Sequence, residues 1–147
     1  MNGSRWFILL IFAAFALTTV DIPFSWDSDG QSGGIDWQSY ASGTVKAAAE
    51  SKPVFLHFYA EWCRWCKKMA KETFREPSLV KHLNDDYVAI RIDYDVEKPI
   101  VDEFGVGGVP ATYVIQPDGQ VTGPLLGYFP GDRLLAALKK IQPARSD

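Results

Sequence analysis

The chain's hydrophobic pattern changes period several times, and each change marks an element. Val54-Phe55-Leu56-His57-Phe58-Tyr59-Ala60 is almost continuously apolar, which predicts a strand buried on both faces in the middle of a sheet. Tyr87 to Ile92 alternates, with Val88, Ile90 and Ile92 on one face of a second strand. Ala111 to Ile115 and Gln120 to Leu126 flank the turn signal Pro117-Asp118-Gly119 and predict a hairpin. Between and around these strands the period is helical. Ile35 to Glu50 reads as helical in its second half, anchored by Trp37 and Tyr40 and ended by Pro53. A helix over about 63–74 turns Met69 and Phe74 to the core. Pro77 opens another, carrying Leu79, Val80 and Leu83. A polar loop, Asp93 to Lys98, precedes a short helix from Pro99 to Phe104, and Gly105-Val106-Gly107-Gly108-Val109-Pro110 is a permissive connection. Leu134, Leu135, Leu138 and Ile141 form one face of a closing helix that starts at Gly131-Asp132. No internal repeat interrupts the order β-α-β-α-β-β-α, with one early helix. That order predicts an α/β protein, a mixed central sheet flanked by helices.

The first twenty residues follow another pattern. Arg5 precedes fifteen uncharged, mainly apolar residues, Trp6 to Val20, which include Ala14-Phe15-Ala16, a small-x-small cleavage pattern. As a helix they would reach roughly 22 Å, against roughly 30 Å of bilayer hydrocarbon. A cleaved export signal and an uncleaved membrane anchor both fit residues 1–20; a buried domain helix fits poorly behind a lone arginine at a terminus. Residues 21–35, with Asp27-Ser28-Asp29-Gly30-Gln31-Ser32-Gly33-Gly34, read as a flexible tether. Residues 36–147 then form one domain, as a 147-residue chain allows. A net charge of −3 with no long basic run argues against nucleic acid as a partner.

Cys63 and Cys66 are the only cysteines, placed directly after the first strand in Glu61-Trp62-Cys63-Arg64-Trp65-Cys66-Lys67. A spacing of three puts both sulfurs on one helical face, near enough to bond. The free N–H groups and partial positive charge at the start of a helix stabilise a thiolate, and Arg64, Lys67 and Lys68 add to that field. A loop this short gives little chain-entropy stabilisation, so the pair is a poor staple and a good redox couple. Zinc typically wants four ligands, and beyond the two thiols only His57 and His82 are available. The reading is dithiol–disulfide exchange, with Cys63 as the exposed nucleophile and Cys66 as the resolving thiol.

The element order, the motif, Gly108-Val109-Pro110 and the hairpin before the last helix together resemble the thioredoxin fold, from about Val54 to about Lys140. Within that superfamily Trp65-Cys66-Lys67-x-Met69, Thr73-Phe74 and the spacing from Pro110 to Gly119 are most similar to the C-terminal periplasmic domain of the DsbD interchange family and its stand-alone relatives. The resemblance implies that Pro110 sits opposite the cysteines with a cis bond to Val109, and that these two residues help bind an extended substrate. It also marks two departures. The family's buried Asp, six residues before the first cysteine, is His57 here, and its Glu, four residues after the second, is Ala70.

His57 then has two readings, a proton acceptor beneath Cys66 or a core histidine without a role in exchange. Arg64 and Trp65, the variable pair, tune the reduction potential, Trp65 also offering a docking surface, and Trp62 shapes the rim of the site. Lys67 is a charge beside the thiols. The expected activity is that of an exported protein-disulfide reductase needing neither metal nor organic cofactor. Its substrates would be disulfide-containing exported proteins and its electron donor a membrane-embedded dithiol. An oxidant or isomerase with the same motif, and a peptide-binding module with locked cysteines, are the alternatives.

Overall fold

The computed structural model describes residues 34–141, so the expectations for an export segment or anchor, and for most of the tether, lie outside the described residues. Five strands of the described residues, β1 (Trp37–Gln38), β2 (Val54–Tyr59), β3 (Val88–Asp93), β4 (Ala111–Ile115) and β5 (Val121–Leu126), form one sheet in the order β1-β3-β2-β4-β5. Strand β2 (Val54–Tyr59) is central, parallel to β3 (Val88–Asp93) and antiparallel to β4 (Ala111–Ile115). With a neighbour on each side and helices over each face, its first five residues are buried, as the unbroken apolar run predicts. The mixed sheet flanked by helices is the one expected from the element order.

The pleat of β2 separates two cores. Leu56 and Phe58 pack with Val88, Ile90 and Ile92 beneath helices α1 (Tyr40–Glu50) and, further along the chain, α4 (Lys98–Glu103). Phe55 points the other way, to Met69, Phe74, Leu83 and Leu138. Those side chains come from α2 (Arg64–Lys71), the 3₁₀ turn Thr73–Arg75, α3 (Pro77–Asp86) and α5 (Gly131–Ile141). Each fully buried side chain of this kind contributes about 1.5–3 kcal/mol, so α2 is clamped to the sheet by its Met69 face.

Two segments differ from the sequence reading. Trp37–Gln38 is a strand, β1, in a stretch read as leading into a helix; it pairs with Ala89 and Ile90 at the sheet edge. Ser39 then caps α1, its Oγ accepting the Ser42 N–H at 3.2 Å. The motif helix ends at Lys71 rather than near Phe74. Beyond it the buried Thr73 hydroxyl donates to the Phe129 carbonyl at 2.5 Å, tying the chain towards α5, and Glu76 accepts the Leu79 N–H to cap α3. Strand β5 (Val121–Leu126) pairs antiparallel with β4 through a register shift between Thr112 and Val114. Opposite that shift Gly123 has φ +129, and a Cβ there would meet the Thr112 carbonyl oxygen at 2.8 Å, which leaves glycine as the residue that fits.

Candidate active site

Strand β2 delivers the chain to Ala60, whose carbonyl accepts the Cys63 N–H at 3.1 Å and turns the backbone into α2. Cys63 is the N-cap residue of α2, with extended φ/ψ, and its Sγ accepts the Cys66 N–H at 3.1 Å. The sulfur therefore occupies the position where a capping oxygen usually sits, facing the positive end of the helix dipole. Cys63 and Cys66 form a disulfide with their Cα atoms 5.2 Å apart. Each is only 4% exposed. The sequence reading has Cys63 as the exposed member; in the disulfide its sulfur turns inward, among Ala60, Tyr59, Tyr94 and Val109. The Val109–Pro110 peptide is cis, as the resemblance implies, and Val109 packs against the sulfur pair.

One tryptophan precedes the motif and another lies within it. Trp62 is 66% exposed, yet its Nε1–H donates to Asp95 Oδ2 at 2.7 Å, which fixes the indole to the loop after β3. Trp65, 49% exposed, lies with its ring centroid 5.7 Å from that of Tyr128. Lys68 Nζ sits 5.6 Å from the Trp65 ring and 4.6 Å from Tyr128, a double cation–π contact. Arg64 and Lys67 are exposed on α2, which carries no acidic residue in its first turn.

His57 is buried on β2, its Nδ1 3.0 Å from Thr112 Oγ1. It is ringed by Phe55, stacked at 6.4 Å, Trp37 at 6.1 Å and Phe74 edge-on at 4.9 Å. Burial first, then the charge of Arg91, its register partner on β3, pull its pKa from 6.5 to about 3. His82 Nδ1 is engaged by Asp86 on α3. A cavity of about 450 Å³ opens beside Cys66, and Arg91 is part of its wall. Sequence reasoning passed over Arg91 and Tyr128, and read Asp95 only as a loop residue at a strand end. The signal for Arg91 was present, a cation inside an otherwise apolar strand; Asp95 and Tyr128 come from distant loops and carry no local mark.

A family model described as a thioredoxin-like domain matches residues 40–142, and the chain belongs to that family. Among individual relatives, the thiol:disulfide interchange protein TxlA of Synechococcus elongatus is 31% identical over 140 residues, covering 94% of this chain and 72% of TxlA. The thiol:disulfide interchange protein DsbD of Neisseria meningitidis is 34% identical over 99 residues, 65% of this chain but 16% of DsbD, so the chain spans about a sixth of that relative's length. The crystal structure of the N. meningitidis DsbD C-terminal domain in its oxidised form superposes with a TM-score of 0.62 at 28% identity, covering 69% of this chain and 91% of that domain. The chain is thus a thioredoxin-fold protein with the Cys-x-x-Cys pair, and TxlA and DsbD among its relatives are thiol:disulfide interchange proteins.

Proposed function

We propose that this protein is a thiol–disulfide oxidoreductase that works outside the cytosol and reduces disulfides in other exported proteins. The observation that carries this reading is the Cys63 sulfur capping α2, where the helix stabilises a thiolate before any substrate arrives. In the reduced protein the Cys63 thiolate attacks one sulfur of a substrate disulfide, and the other sulfur leaves with the electron pair. Cys66 then loses its proton and attacks Cys63 Sγ, closing the disulfide and releasing the first substrate sulfur as a thiolate. A dithiol donor reverses the process and recharges the pair. Outside the cytosol a membrane-embedded dithiol is the natural donor.

The apolar segment Trp6 to Val20 and the similarity to TxlA and DsbD support export, by signal or by tether. No helix among the described residues is long and apolar enough to cross a membrane. The exposed Trp62 and Trp65 and the loop at Val109–Pro110 supply the docking surface, with Arg64 and Lys67 setting charge around the thiols. His57, held neutral at ordinary pH, serves the core in this scheme.

The test is insulin-disulfide reduction with a dithiol donor. The wild type is expected to be active and Cys63→Ser inactive, with Cys66→Ser trapping mixed-disulfide partners in the native host. Equal activity of wild type and Cys63→Ser overturns the proposal. The binding-module reading instead predicts client capture that is indifferent to both cysteines. A measured reduction potential near about −270 mV supports the reductive direction; one near about −120 mV marks an oxidant.

A further inference from the structure

The second half-reaction needs Cys66 to lose a proton, and the surroundings of Cys66 lack the expected acceptor. His57 is committed to Thr112 and takes up a proton only near pH 3. Ala70, one turn beyond Cys66, presents a methyl group to the cavity beside the thiol. The remaining charged wall of that cavity is Glu61, Lys67, Lys71 and Arg91, three cations to one carboxylate. Among the described residues none of the three cations makes an ion pair. Arg91 is half-buried and reaches the wall from β3, its Cζ 3.7 Å from the Tyr59 ring centroid. Making no ion pair among the described residues, the guanidinium is available to attract an anion that forms on the cavity wall. Glu61, Lys67 and Lys71 are exposed, so the cavity reaches the surface.

We propose that Arg91, assisted by Lys67 and Lys71, is a positioning residue for resolution: its charge stabilises the Cys66 thiolate, and the proton leaves into solvent in the cavity without a carboxylate base. The inference rests on the exchange reading above and deepens it. In the mixed disulfide the Cys66 S–H breaks, its proton going to cavity water. The thiolate forms the Cys63–Cys66 bond while the Cys63–substrate S–S bond breaks, and the substrate sulfur departs with the electron pair. The groups facing Cys66 are Tyr59 from β2, Glu61 from the following loop, Lys67 and Lys71 from α2, Arg91 from β3 and Tyr94 from the loop after it. Burial first raises the Tyr59 phenol, which stays neutral. Glu61 is the one opposing charge on the wall.

The experiment titrates Cys66 in a Cys63→Ser protein by thiolate ultraviolet absorbance against pH, and times mixed-disulfide resolution in the two-cysteine protein. Arg91→Gln is expected to raise the Cys66 midpoint by about half to one unit, about three- to tenfold less thiolate at a fixed lower pH, and to slow resolution in proportion. Arg91→Lys restores most of both, Lys71→Gln gives a smaller shift in the same direction, and Glu61→Gln lowers the midpoint. An unmoved midpoint in Arg91→Gln overturns the inference, as does Arg91→Lys behaving like Arg91→Gln. So does Glu61→Gln slowing resolution more than Arg91→Gln, which would make Glu61 the base. The titration needs no exchange activity, so loss of the functional reading, seen as an inactive wild type with insulin, is distinguishable from loss of this one.

Discussion

His57 and Thr112 face each other across β2 and β4 as register partners, Nδ1 to Oγ1 at 3.0 Å, in an aromatic enclosure that keeps the imidazole neutral. The folded pKa of about 3 lies below the unfolded value near 6.5. Between those values the unfolded chain binds a proton that the core refuses. The contribution is therefore complete above about pH 6.5 and is lost as pH falls towards 3, at about 1.4 kcal/mol per pH unit. Urea midpoints measured from pH 7 to pH 4 should show this slope in the wild type and a flatter one in His57→Gln. At pH 7 that substitution should itself cost about 1–2 kcal/mol through the disturbed Thr112 contact. Parallel slopes in the two proteins would contradict the assignment.

Thiolate stabilisation at Cys63 should be measurable directly. With Cys66→Ser, the pH dependence of iodoacetamide alkylation should give a Cys63 midpoint below the free-cysteine value of about 8.5, within about 3.5–7.5. A midpoint at or above the free value removes the role assigned to the helix terminus.

The Trp62–Asp95 hydrogen bond predicts a split in kinetics. Asp95→Ala leaves the cysteines in place but releases the indole, at about 0.5–1.5 kcal/mol for the lost bond. KM for a protein disulfide should rise severalfold with kcat little changed, while a small aromatic disulfide should react at the wild-type rate. If both substrates slow equally, Trp62 acts on the thiols rather than on docking.

Packing of α1 on the sheet depends on Gly43. A Cβ at that position would collide with Ile90 Cγ1, although alanine is the better helix former by about 1 kcal/mol. Overpacking costs about 1–3 kcal/mol, so Gly43→Ala should destabilise by about 1 kcal/mol net in chemical denaturation. Ile90→Val should partly relieve it in the double variant. A stabilised Gly43→Ala would show that Ile90 repacks freely.

The central strand, the hairpin and the closing helix were readable because each satisfies one local rule along its own sequence. Val54 to Tyr59 has two covered faces, and Gly119, at φ +87, completes the turn by donating its N–H to Gln116 O. The cysteine pair was readable because its chemistry is set by local geometry, a cap and a spacing of three. What the sequence did not disclose depends on distant partners. Trp37–Gln38 is a strand because β3 offers an edge, α2 stops short of Thr73, which bonds to Phe129, and Arg91 matters through a cavity whose walls come from three segments. The resemblance marked His57 and Ala70 as departures, and Lys67 was legible beside the thiols; that Lys71 and Arg91 line the same cavity as Cys66 emerged only with the fold.

The sheet's two borders have a consequence for how the molecule behaves in a crowd. One border is the two-residue β1; the other, β5, is interrupted at Pro124, which has no N–H to donate, beside the register shift. Among the described residues neither rim presents a long ladder of unpaired amides, so joining of neighbouring molecules into a continuous ribbon is discouraged. The flanks of the sheet are thereby guarded against fusing with another copy of the same molecule.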